Sequence, residues 1–307
     1  MSNDTLRVRC TLGMHGGAII EILDFSPKTS KLKRLPWEPI KLMPLGDIQS
    51  GVDSCDLDLL AKRIDRGVRE GALFIGMGDY LDVASPSSRA KLKAGGFYDS
   101  VWETLDDAML HHESDLMRIL EPTIGRWLGL LEGHHTYEYQ NGSTTDINLC
   151  RQLGTDFLGS CSMIRLRFDD GNRHSVDCVI WAHHGVGAGV SAAAPVVKLE
   201  RVVEWADADL YLMGHQHKRA AAAIPRFYMV GNKNPTVVAR ERLLVGTGSY
   251  LKGYMKGSVS GGRKGGTYVE KAMMRPVSLG SPLITIIPTR VVIDGHDTTL
   301  IEFEALT

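Results

Sequence analysis

Several features common in proteins are scarce or missing in this chain, and each shortage narrows the reading. Cysteine is sparse and unorganised: Cys10, Cys55, Cys150, Cys161 and Cys178 make an odd total of five, scattered and with no C-x-x-C pair. A disulfide framework is therefore not expected, and a reducing compartment is. No apolar run approaches the roughly 18 residues that a membrane span requires. The opening residues Met1-Ser2-Asn3-Asp4 are polar and lead into a mixed segment, without the apolar core of a secretory signal. Charge of one sign is also missing: 35 Lys and Arg face 36 Asp and Glu, for a net charge of -1. No global basic field exists to coat a polyanion, so any such binding must be local. Internal repeats are absent. These shortages predict a soluble, cytoplasmic protein (in a host cytoplasm if the source is a virus) with no membrane partner.

What is present is an ordinary globular composition, 43% hydrophobic and 23% charged over 307 residues. That length suffices for a sizeable core. The reading adopted is one domain over residues 1–307, with a mainly helical insert at about 84–131 and a Gly/Lys-rich loop at about 252–275. Residues 5–40 are a polar lead-in with short strand-like pieces such as Ala18–Leu23. Ile40–Leu45 reads as a strand ending at Gly46-Asp47, and residues 56–70 as an amphipathic helix with Leu57, Leu60, Ile64 and Val68 at helical spacing. Ala72–Met77 is a second short strand, ending at Gly78-Asp79. Strand–helix–strand is the unit of a layered α/β sheet. Residues 86–131 look mainly helical, with a start near Pro86-Ser87-Ser88 and apolar spacing through Val101, Leu105, Met109, Leu116 and Leu120. Further strands are expected at Asp177–Ala182, Leu210–Met213, Arg242–Val245, Arg290–Ile293 and Thr299–Phe303.

Polar groups recur where these strands end, the place where open α/β sheets bind ligands. Asp47 and Gln49 follow the first strand, and Asp79 and Asp82 the second. His134 and His135 follow Leu130-Leu131-Glu132-Gly133, His183 and His184 follow Asp177–Ala182, and Leu210–Met213 ends in Gly214-His215-Gln216-His217. Six of eleven histidines thus gather at three strand ends. Taken singly, a Gly-Asp is a turn and a His-His pair is solvated. Taken together, the five segments supply the carboxylates and imidazoles that a closely spaced metal pair needs. His111-His112 falls inside a helical stretch and, with His15, His174 and His296, is assigned to surface or structural duty.

The ordered set Gly46-Asp47-Ile48-Gln49, Gly78-Asp79-Tyr80-Leu81-Asp82, Gly133-His134-His135, His183-His184-Gly185 and Gly214-His215-Gln216-His217 resembles the calcineurin-like metallophosphoesterase superfamily, whose pattern runs D-x-H, GDxxD, GNH(E/D), H, GHxH. The resemblance spans residues from about 40 to 255 and includes Gly246-Thr247-Gly248-Ser249, similar to the family's N-x-GS strand end. It implies a four-layer α/β/β/α sandwich with two central mixed β-sheets. It implies two divalent metal ions, Mn foremost, with Mg, Zn, Fe or Ni as alternatives. Asp79 would bridge them. Asp47, His217 and Gln49 would hold the first. His134, His215 and His184 would hold the second, with His183 as the alternative to His184. His135 would protonate the leaving oxygen, oriented and charged by Asp82.

Two departures from the family pattern stand out. Gln49 replaces a histidine, offering a harder and weaker carbonyl ligand, and His134 replaces an asparagine. One imidazole moves from the first metal to the second, which favours a weaker, exchangeable first metal. The activity implied is hydrolysis of phosphate esters. The foremost substrate class is phosphodiesters of DNA, RNA or nucleotides, as for a phosphodiesterase or nuclease. A phosphomonoesterase, including a protein phosphatase, is the second reading; Val83-Ala84 and Thr136 stand where phosphoprotein phosphatases carry Arg-Gly and an acid. A metal-holding scaffold with little turnover is the third. Lys252, Lys256, Arg263, Lys264, Lys271 and Arg275 form a basic stretch suited to tracking phosphates, or a solvated loop. The insert carrying Arg89, Lys91 and Lys93 caps the site or packs in an outer layer. Tyr80, Tyr137 and Tyr139 offer base stacking or packing.

Overall fold

The computed structural model describes residues 29–82, 94–96, 98–172, 174–187, 189–231, 235–256, 259–260 and 263–307. The expectations for Ala18–Leu23, His15, the helix start at Pro86-Ser87-Ser88 and the cations Arg89, Lys91 and Lys93 lie outside those residues, as do the side chains of Arg263 and Lys264.

The chain runs β1 (Thr29–Pro36), β2 (Ile40–Leu45), α1 (Leu57–Arg69), β3 (Leu73–Gly76), α2 (Asp99–Leu120), β4 (Trp127–Leu131), α3 (Thr145–Leu153), β5 (Phe157–Gly159), β6 (Cys161–Asp169), β7 (Ser175–His183), α4 (Ala194–Val203), β8 (Leu210–Met213), β9 (Arg219–Val230) and β10 (Thr236–Thr247). It closes with two-residue strands β11 (Val259–Ser260) and β12 (Arg263–Lys264), the short helix α5 (Tyr268–Lys271), and the hairpin β13 (Leu283–Ile293) and β14 (His296–Leu306).

Two mixed six-stranded sheets result, ordered β14-β13-β2-β3-β4-β5 and β1-β6-β7-β8-β10-β9. In the first, β2 to β5 are parallel. In the second, β7, β8 and β10 are parallel. Alternation of side chains across a strand explains the layering. Leu42, Ile75 and Leu128 face inward against Ile164, Leu166, Cys178, Ile180, Leu210, Leu212 and Val245, making one core between the sheets. Met43, Leu45 and Phe74 face the other way and meet Leu60 and Ile64 of α1, Leu116 and Leu120 of α2, and Leu149 and Leu153 of α3. On the far side, Trp181, Tyr211, Met213 and Leu244 are covered by Val196, Leu199 and Val203 of α4. The expected four-layer α/β/β/α sandwich is the observed one.

Local chemistry agrees with the helix boundaries. Asp56 caps α1 by accepting from the Leu59 amide at 3.1 Å. Thr144 caps α3 through the Ile147 amide at 3.2 Å, and Gly154 ends it in the left-handed region; a cap of this kind contributes about 1 kcal/mol. The helical expectation for 86–131 needs one correction: Trp127–Leu131 is a strand, buried at every residue. Covered on both faces, such a strand is a continuous apolar run, which periodicity alone cannot tell from buried helix. β9 is the element least legible beforehand, because the alanine run near its start, Ala220–Ala223, has low strand propensity. It is a strand because it pairs along its whole length with β10.

Candidate metal centre

The C-terminal ends of β2, β3 and β4 in one sheet meet those of β7, β8 and β10 in the other, and every polar segment singled out in the sequence lies at that junction. The turns beyond β2 and β3 stay hydrogen-bonded to each other: the Asp47 amide donates to the Gly78 carbonyl (2.9 Å) and the Gln49 amide to the Asp79 carbonyl (3.0 Å). Asp47 and Asp79 are thereby held side by side with almost no exposure. The Asp79 Oδ1 accepts from the His135 amide at 2.9 Å, tying β4 to β3. The Asp47 Oδ2 accepts from the His215 amide at 2.7 Å, tying β8 of the other sheet to β2.

Glycine is required where these backbones approach. A Cβ on Gly133 would lie 2.0 Å from the Asp79 amide nitrogen and 2.2 Å from its Oδ1. One on Gly78, at φ +89, would lie 2.6 Å from the His184 Nδ1. Strain is concentrated here as well. Among the described residues eight non-glycines have positive φ, and five of them are Asp47, Gln49, Asp79, His215 and His217. Conformations of this kind cost about 1–3 kcal/mol each and persist where surrounding structure imposes them.

Two groups of side chains converge closely enough to hold a cation, with ligand atoms within 4.8 Å of one another: His134, His184 and His215, and Asp47, Asp79 and His184. The Nδ1 atoms of His134 and His215 lie 3.2 Å apart. His184 is buried, and its Nδ1 meets the Met77 carbonyl at 2.7 Å, which directs Nε2 inward to 3.3 Å from the Asp79 Oδ2. His217 Nε2 lies 3.5 Å from the Asp47 Oδ1. Four buried atoms at this junction, Asp47 Oδ1, Gln49 Oε1, Asp79 Oδ2 and His184 Nε2, have no hydrogen-bond partner. Buried polar atoms are rarely left so, and three oxygens with an imidazole nitrogen are a donor set that suits a divalent cation.

The electrostatics follow from this crowding. Burial pushes the Asp79 carboxyl up, but the adjacent His184 imidazole and the charge of His135 outweigh it and hold it well below the usual range. Burial, then the charge of His184, lowers His215 to about 4 and also lowers His134. Both are neutral near pH 7, the form in which imidazole binds a metal.

His135 projects beside the cluster, its Nδ1 2.9 Å from the Asp82 Oδ1 and its Nε2 3.9 Å from the Asp79 Oδ2. His183 points elsewhere: its Nδ1 accepts from the Gly185 amide at 2.7 Å, and its ring stacks on Trp181. The tyrosines are also accounted for, as packing. Tyr80, Tyr137 and Tyr139 are buried, with hydroxyls given to the Leu131 carbonyl, Asp106 and Glu113, so none presents a face to a base. His111 lies within α2, 3.4 Å from Asp115 one turn on.

Sequence reasoning gave no role to two residues that shape the centre. Asp146 is buried at the start of α3, and its Oδ2 accepts from the Gly133 amide at 3.0 Å, fixing the turn that carries His134 and His135. Burial raises its pKa to about 6, opposed by that amide and reinforced by the charge of Asp79. In the sequence it reads only as an acid in a helix's first turn. Ser249 donates its hydroxyl to the Asp47 carbonyl at 3.0 Å, and the Gly-Ser strand end was its only signal.

No protein-family model and no curated protein matches the sequence. Among solved structures, the chain is similar to a conserved uncharacterized protein described as a predicted phosphoesterase from Streptococcus pneumoniae TIGR4 (12% identity, TM-score 0.30, covering 86% of this chain and 98% of that one). It is similar also to Vacuolar Protein Sorting 29 from Cryptosporidium parvum (10%, TM-score 0.32, 88% and 100%) and to the calcineurin-like phosphoesterase YfkN from Bacillus subtilis (13%, TM-score 0.31, 88% and 91%). Likenesses this distant carry no weight of their own beside the geometry. The two-sheet, four-layer fold and the order in which its strand ends deliver carboxylates and imidazoles are those that the resemblance of the sequence motifs implied.

Proposed function

We propose that this protein is a two-metal-dependent phosphoesterase whose preferred substrates are phosphodiesters of nucleic acid or nucleotides. The observation that carries the reading is the set of buried, unpartnered atoms on Asp47, Gln49, Asp79 and His184, facing His134, His215 and His217. Asp79 would bridge the two ions. Asp47, Gln49 and His217 form the first site, and His134, His184 and His215 the second. His184 is preferred to His183 because its Nε2 faces Asp79, whereas the Nδ1 of His183 is occupied by the Gly185 amide.

Bound there, a pair of divalent cations supplies positive charge against the non-bridging oxygens and activates a water as nucleophile. The chain's own residues do the rest. The Asp82 carboxylate, 2.9 Å from the His135 Nδ1, orients the ring so that Nε2 can deliver a proton to the leaving oxygen. The amide contact to Asp79 fixes that ring relative to the cluster. Gln49 contributes a neutral oxygen where an imidazole would bind more tightly, which favours Mn or Mg in the first site.

The deciding experiment compares hydrolysis of bis-p-nitrophenyl phosphate and p-nitrophenyl phosphate with added Mn, alongside metal content by elemental analysis. Preference for the diester is the expected result. Preference for the monoester would replace the diesterase reading by a monoesterase one. Bound metal without turnover on either would leave a scaffold.

A further inference from the structure

Immediately beyond His217 the chain reads Lys218-Arg219, and the fold brings both to a cleft of about 190 Å³ whose opposite wall carries Arg275. Lys198, from α4, is close enough for its charge to act on Lys218, and Arg63, from α1, acts likewise on Arg219. Five cations from four segments thus gather beside one metal ligand, in a chain whose net charge is -1.

Several cations elsewhere are neutralised. Arg242 pairs with Asp209, Arg290 with Asp297, Arg66 with Glu70, and Lys252 with Asp56 at 3.1 Å. Among the described residues, Arg63, Lys198, Lys218, Arg219 and Arg275 have no carboxylate partner, and no acid lines the cleft. Lys198 and Lys218 each donate to a loop carbonyl, of Val186 and Gly189, which orients the ammonium groups without cancelling their charge. The Arg219 Nε is buried and lacks a hydrogen-bond partner. Like charges held together in a partly desolvated cleft repel, and an anion relieves that repulsion. The cleft has ample room for a phosphate with its water.

We infer that the Lys218–Arg219–Arg275 cleft is an anion subsite that takes a second phosphate of the substrate, next to the one held at the metal centre. The inference rests on the phosphoesterase reading and deepens it: the substrate carries at least two phosphates, as a polynucleotide or a nucleotide polyphosphate does. It also singles out Arg275 from the basic stretch seen in the sequence. Lys252, by contrast, is held by Asp56.

The test has a catalytic arm and a binding arm. In the first, kcat/KM is measured for a thymidine dinucleotide bearing a 5′-phosphate and for bis-p-nitrophenyl phosphate, in the whole chain and in Arg275→Ala. The preference for the phosphate-bearing dinucleotide is expected to fall about tenfold, the low end for a charge-assisted hydrogen bond at an exposed arginine. An unchanged preference overturns the subsite. Replacing the dinucleotide by a nucleoside triphosphate shows which source of the second phosphate is favoured. In the second arm, binding of inorganic pyrophosphate is followed by calorimetry in EDTA, where the metal centre does not contribute. Weakening of pyrophosphate binding in Arg275→Ala and in Lys218→Ala supports the subsite even if the chain hydrolyses neither ester. Absence of pyrophosphate binding by the unmodified chain overturns the subsite and leaves the phosphoesterase reading standing.

Discussion

The two ends of β8 make an instructive comparison. At its start, Asp209 is buried and both carboxylate oxygens are satisfied: Oδ2 accepts from the Val179 amide at 2.8 Å and Oδ1 from Arg242. At its finish, the β8 turn meets Asp47 and Asp79, equally buried, and each of those carboxylates keeps one oxygen without a hydrogen bond. The backbone differs in the same sense. Asp47 and Asp79 sit at positive φ, and Asp209 does not. A buried acid with both oxygens used is holding the fold together. A buried acid left half-used, on strained backbone, and facing imidazoles, is held ready for something else. The core between the sheets separates these two ends, so the same strands carry a structural and a chemical terminus.

The comparison can be broken or sharpened by measurement. The largest effect is expected from His135→Ala, which should lower kcat by about 10²–10⁴-fold while metal content by elemental analysis stays the same. Retained turnover would remove His135 from its role. Asp209→Ala comes next: it leaves the Val179 amide without its acceptor and Arg242 with only Asp207, and should cost up to about 3 kcal/mol in denaturant unfolding. If that loss were matched by Asp79→Asn in EDTA, the contrast between the two ends would fail. Manganese should sharpen it further. At a free concentration about 100 times its Kd it should add about 2.7 kcal/mol to stability. That gain should survive in Asp209→Ala and disappear in Asp79→Asn.

The last effect, of similar size, concerns Asp146, which bridges the two kinds of behaviour. Its folded pKa of about 6 lies above the ordinary value of 3.8. A carboxyl raised by folding contributes stability that is fully present below its unfolded pKa and is lost as pH rises through the folded one. In EDTA, the unmodified chain should therefore lose on the order of 3 kcal/mol through this group between about pH 4 and pH 6. Asp146→Asn, which keeps an acceptor for the Gly133 amide, should not. Parallel pH–stability curves for the two proteins would show that Asp146 titrates normally.

How far the sequence reached depended on the range of the interaction. α1 was legible because Leu57, Leu60, Ile64 and Val68 repeat at helical spacing. The strand ends were legible because a short apolar run stops at Gly followed by Asp or His, and local sterics make that a turn. β4 was harder, since a strand buried on both faces loses its alternation. The fate of Tyr137 and Tyr139 was out of reach, because their partners Asp106 and Glu113 lie on α2, far away in sequence.

The sequence by itself determined the α/β class, the order of the chemical groups and the five turns that present them, all of which follow from short-range periodicity and turn chemistry. Only the tertiary structure decided which groups face each other. It turned His184 rather than His183 toward Asp79, because the Met77 carbonyl at the end of a strand in the opposite sheet meets its Nδ1 and directs Nε2 inward. It also recruited Asp146, and it drew Lys218, Arg219 and Arg275 into one cleft. Those choices depend on contacts between segments 13 to 107 residues apart, beyond what local periodicity encodes.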